Sequence, residues 1–127
     1  MEKEFIPYEQ AKSLKELGFD ELCFGYYIDV EVRDPFLVIE KASDTQGGYF
    51  TFAPLYQQAF RWFREKHNML ANVYSNASGF LYEYHDTIGG THRYDSGFTG
   101  DCEDSGTFTS FEKAQLDCLK KLIEIVK

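Results

Sequence analysis

Three histidines, three cysteines and 21 carboxylates are the groups in this 127-residue chain whose types could do chemistry, and their spacing decides which chemistry is open to them. Two of the histidines fall in alternating runs, "GFLYEYHDT" and "THRYDSGF", joined through "IGG". A two-residue turn at Gly89-Gly90 sets Ile88 against Thr91, Thr87 against His92, Asp86 against Arg93, His85 against Tyr94 and Tyr84 against Asp95. In that register His85 and His92 are diagonal neighbours on one face, and Glu83 is at hand as a third ligand for a divalent metal. A metal-dependent enzyme using His85 and His92 is therefore one alternative reading. Diagonal neighbours are a long reach for two ligands of one ion, so the expectation is two solvated or hydrogen-bonded histidines, no metal and no cofactor.

Other reactive constellations are missing. Cys23, Cys102 and Cys118 show no CxxC spacing, which suits reduced structural thiols in a reducing compartment. Cys102 stands among carboxylates that raise a thiol's pKa and blunt it as a nucleophile. Asp101, Glu103 and Asp104 lack the alternating acidic spacing and terminal glutamate of a calcium loop. Neither G-x-S-x-G, G-x-G-x-x-G nor a Walker pattern occurs. The expectation is a protein that is not an enzyme.

The stretch "QAFRWFREKH", Gln58 to His67, gathers two phenylalanines, the only tryptophan, two arginines and a histidine. At 100° per residue, Leu55, Tyr56, Ala59, Phe60, Trp62 and Phe63 share one face, and Gln57, Gln58, Arg61, Arg64 and Glu65 share the other. The aromatics read as core anchors of a helix that Pro54 can start. Trp62, at the edge of the stripe, is the ring placed to reach a surface beside Arg61 and Arg64.

The elements that would position these groups follow from periodicity. "FIPYEQAKSLKELGFDE" predicts a first helix with Pro7 at its first position and Gly18 ending it, which pairs Leu14 with Phe19. Short strands are predicted at Leu22 to Ile28, Phe36 to Glu40 and Tyr49 to Phe52. Period-two runs from Ala71 predict three antiparallel strands. Thr109, with Glu112 three residues on, reads as the capping box of a last helix whose wide apolar face is Phe111, Ala114, Cys118, Leu119, Leu122, Ile123, Ile125 and Val126. The expected fold is a single α+β domain over 1–127, with an N-terminal helix and strands (1–52) and an αβββα unit (53–127). Its antiparallel sheet carries two long helices on one face.

Composition bounds the function classes. Against 13 Lys and Arg, the acids leave a net charge of −8, which disfavours general binding to nucleic acid or anionic membrane. No apolar run reaches membrane-spanning length, and the opening "MEKEFIPYEQ" is not a secretion signal, so a cytoplasmic protein is expected. Aromatics are 17% of residues, with nine tyrosines. Strand alternation sends half of any strand's side chains to each face, and helices usually cover only one. Exposed tyrosines recognise partners well, so Tyr82, Tyr84 and Tyr94 are the expected binding surface, with Trp62, Arg61 and Arg64 at its rim.

Three wordings resemble a family of small uncharacterised proteins of bacterial phages and integrated mobile elements: "IPYEQAKSLKELGFDELCFGYY" (6–27), "APLYQQAFRWFREKHNM" (53–69) and "AQLDCLKKLIEIVK" (114–127). The resemblance implies an accessory protein that antagonises host defence by binding a host protein or a small nucleotide-like ligand. The helix–three strands–helix order of 54–127 is also similar to the double-stranded-RNA-binding domain. That domain needs lysines entering its last helix, whereas this chain reads "GDCEDSGTFTSFEK" there, so RNA binding is not carried over. A further alternative is an acidic nucleic-acid mimic, with Glu83, Asp95, Asp101, Glu103 and Asp104 standing in for phosphates.

Overall fold

The computed structural model describes residues 2–29, 34–40, 50–77, 79–86, 92–95 and 108–127, the side chains at 2, 76, 86 and 92–95 excepted. These residues form an α+β protein with antiparallel strand pairing throughout. After a 3-10 turn at Glu2–Glu4 come α1 (Tyr8–Glu16), β1 (Tyr26–Ile28), β2 (Phe36–Val38), β3 (Phe50–Phe52) and α2 (Tyr56–His67). Then follow β4 (Met69–Asn76), β5 (Gly79–Asp86), β6 (His92–Asp95) and α3 (Phe111–Val126). The chain separates into two compact units, 1–59 with Lys127 and 60–126.

In the first unit, α1 starts one residue later than its proline suggests. Pro7 is the extended N-cap, and the helix ends as Gly18 predicts. Gly18 adopts a φ of +102°, which an L side chain rarely tolerates. Its N–H donates to Lys15 at 3.1 Å and that of Phe19 to Leu14 at 2.9 Å, the paired bonds of a Schellman ending. Leu14 and Phe19 are both buried. Apolar β-formers then make a three-stranded sheet in the order β2-β1-β3, with α1 packed on β3. Pro54 lies before α2, because its carbonyl accepts the Ile6 N–H at 3.0 Å and Leu55 bridges Phe5, holding the backbone extended.

In the second unit, Asn68 turns the chain out of α2 at a φ of +57° and straight into β4, two residues earlier than the alternating pattern indicates. A second three-stranded sheet runs β4-β5-β6, and α3 packs on β4 and β5. Ala114, Cys118, Leu119, Leu122 and Ile123 bury the middle of the predicted face of α3, but Phe111, 42% exposed, and Ile125, 40% exposed, at its ends are not covered as expected. Its cap is displaced by one residue: Ser110 Oγ accepts the Lys113 N–H at 3.2 Å, while Thr109 Oγ1 accepts from Lys113 Nζ at 3.3 Å. The β5–β6 register also differs from the one an even Gly89-Gly90 hairpin imposes. Glu83 pairs with Asp95, Tyr84 with Tyr94 and His85 with His92, with a shift between Tyr84 and His85. A β-bulge inserts an unpaired residue that no alternation pattern announces.

Candidate functional site

The expected tyrosine surface is corrected by burial. Tyr82 is 0% and Tyr84 8% exposed. Tyr82 donates its hydroxyl to Asp117 Oδ2 on α3 at 2.6 Å, and its ring lies 6.0 Å from that of Phe108. The neighbouring same-face ring, Phe80, meets Phe111 at 6.2 Å. These rings belong to the sheet face that α3 covers. A partial signal for this was present in the run itself: Tyr82 and Tyr84 alternate with Glu83 and His85, which marks the tyrosine face as one to bury, although Leu81 on the other face is 2% exposed as well.

Trp62 is likewise corrected as a rim residue, being 3% exposed with its ring edge-on to Phe63 at 5.1 Å and to His67 at 4.8 Å. Arg61 and Arg64 are exposed, so they do not join the buried tyrosines in one surface. The side chain of Tyr94 and the residues Asp101, Cys102, Glu103 and Asp104 lie outside the described residues. His67 Nε2 is buried without a hydrogen-bond partner among the described residues.

The surface that remains is one the sequence reading missed. Leu22 is 52% and Phe24 65% exposed, in a segment predicted to be the start of a strand. Between and after them, Cys23 and Gly25 are buried, so the segment alternates outward and inward ahead of β1. Every inward position is held. The Cys23 thiol donates to the Glu21 carbonyl at 3.3 Å, Gln58 Nε2 donates to the Leu22 carbonyl at 3.0 Å, and the Gly25 carbonyl accepts the Ala53 N–H at 3.0 Å. A Cβ at Gly25 would stand 2.9 Å from Phe5 Cε1 and 3.2 Å from the Val38 carbonyl oxygen, so only glycine fits this close approach.

Ile39, 41% exposed, follows directly on Val38, the β2 residue that pairs with Tyr26 at the start of β1. It therefore stands beyond the same end of the β1–β2 ladder as Phe24. Tyr26 donates to Glu40 across that end. The result is an apolar edge on a fixed backbone, flanked by Asp20 and Glu21.

Bond-making chemistry finds no support at the described thiols. Burial pushes the Cys23 thiol up to about 12, with the Glu21 charge adding to the rise. Burial, with Asp117 nearby, does the same to Cys118. Such thiols stay protonated and unreactive near neutral pH. Among the described residues no three His, Cys, Asp or Glu side chains form a group able to hold a metal. No helix among them is long and apolar enough to cross a membrane. Compared with known proteins, the chain matches no family profile, no curated protein and no solved structure.

Proposed function

We propose that this chain is a non-enzymatic binding protein that recognises a protein partner through Leu22 and Phe24, with Ile39 beside them. The observation that carries the reading is the 65% exposure of Phe24 on a segment whose neighbours are pinned. An aromatic ring held out on a rigid backbone gives up little conformational freedom on binding, which is how a few residues come to dominate an interface. The flanking acids Asp20 and Glu21 oppose phosphate, which favours a protein over a nucleotide-like ligand. Residues 6–27, whose wording resembles mobile-element proteins, contain the apolar edge, and this supports a host protein as the target and counter-defence as the role. The buried protonated thiols fit a cytoplasmic setting.

The test compares the wild type with Leu22→Ser/Phe24→Ser and with Arg61→Ala/Arg64→Ala as baits in host lysate, followed by measurement of Kd for the partner recovered. The expected outcome is a partner held by the wild type and the arginine variant, with affinity lower by about 30-fold or more in the Leu22/Phe24 variant at unchanged thermal stability. Equal affinity in all three proteins overturns the reading.

A further inference from the structure

The apolar edge formed by Leu22, Phe24 and Ile39 is small. All three side chains are only partly exposed, and even a whole aromatic side chain buries about 150–250 Å². Together they fall short of the roughly 800 Å² that each partner of a stable two-protein interface covers. An edge of this size fits a short segment of a partner better than a second broad surface.

Charge decides which kind of segment. Residues 1–59 hold eleven of the chain's 21 carboxylates against five of its 13 basic residues, so six of the eight net negative charges fall in this part. The bias is sharpest around the edge, since no Lys or Arg occurs in residues 16–32. Exposed carboxylates stand at Asp20, two residues before Leu22, and at Glu40, directly after Ile39. The Tyr26 hydroxyl donates to Glu40 and so holds that carboxylate at the end of the β1–β2 ladder. A second copy of the chain would bring like charges to both sides of one apolar contact, which opposes self-association. A segment with Lys or Arg beside its apolar side chains gains from the charge and from the burial together.

Taking Leu22 and Phe24 as the binding edge proposed above, we infer that the partner presents a short segment in which apolar side chains lie among Lys or Arg. The apolar side chains cover Leu22, Phe24 and Ile39, and the cations meet Asp20 and Glu40. Exposed charges at the rim of a contact speed and orient the encounter and are weakened by salt, while the desolvated apolar contacts hold the complex once formed.

A displayed library of random peptides about 12 residues long is selected against the wild type, against Leu22→Ser/Phe24→Ser and against Asp20→Asn/Glu40→Gln. The wild type is expected to enrich peptides that combine aliphatic or aromatic residues with a surplus of Lys and Arg. The Leu22/Phe24 variant is expected to lose them at unchanged melting temperature and oligomeric state. Calorimetry then follows the most enriched peptide from about 0.05 M to about 0.5 M NaCl, where wild-type affinity falls at least about fivefold and that of the Asp20/Glu40 variant by less than about twofold. Peptides that need Leu22 and Phe24 but carry no surplus of cations, or a wild-type affinity that ignores salt, overturn the inference and leave the binding edge standing. A dimer that the Leu22/Phe24 substitution dissociates does the same, because a second copy is then the occupant. No enrichment at all overturns the short segment, and peptides retained equally by the Leu22/Phe24 variant overturn the edge together with it.

Discussion

Tyr82 shows how one hydroxyl assigns a residue to structure instead of recognition. Its ring is fully buried on β5, yet its oxygen reaches Asp117 on α3 at 2.6 Å, tying strand to helix through a charge-assisted bond. A buried tyrosine keeps such a partner because an unpaired hydroxyl is costly, and Asp117 on the half-buried flank of α3 supplies it. Tyr82→Phe is expected to retain the fold and lower stability by about 1–2 kcal/mol in urea unfolding. In an Asp117→Asn background the same substitution is expected to cost less, because the charged acceptor is already gone. Partner binding is expected not to change. Equal costs in both backgrounds would show that the bond contributes nothing.

At the scale of elements, legibility follows how local the determining interaction is. The end of α1 was readable because Gly18, Leu14 and Phe19 lie within one turn of each other, and the two backbone bonds they imply are present. The middle of the buried face of α3 was readable for the same reason, whereas Phe111 and Ile125 at its ends fit the same periodicity and are exposed. Its start was not, since Thr109 and Ser110 are both good caps and the choice depends on where Phe108 pairs with Phe80. Once Phe108 is held in that bridge, Ser110 is the residue positioned to cap the Lys113 N–H. Ser110→Ala is therefore expected to destabilise the protein by about 1 kcal/mol, and Thr109→Ala by clearly less, measured as urea midpoints. The reverse order would restore the Thr109 capping box. The Leu22/Phe24 edge and the His85–His92 pairing escaped sequence reading because both depend on contacts distant along the chain. The first needs Gln58 and Ala53 to pin a segment that looks like a strand, and the second needs a bulge.

Across the whole molecule, which carries a net charge of −8, the groups whose protons the fold holds more tightly bound the pH range of stability on the alkaline side. Burial raises Cys23 and Cys118 from an ordinary 9.0 to about 12 and Tyr56 from 10.0 to about 12. Tyr8 rises to about 12 as well, through its hydroxyl bond to Asp29. Each group binds its proton more tightly folded than unfolded, so the unfolded chain releases protons first as pH rises. Their contribution is fully present below pH 9.0 and is lost progressively as pH climbs toward about 12. Every proton lost also deepens an already negative charge, which adds repulsion in the compact state. The urea midpoint is expected to hold level from neutrality to about pH 9 and then fall steeply. In the same range two of the three thiols, Cys23 and Cys118, are expected to react with a disulfide reagent only at the rate of unfolding. A midpoint that stays level to pH 12, or rapid native labelling of all three thiols, would show that these groups are not shielded as the structure places them.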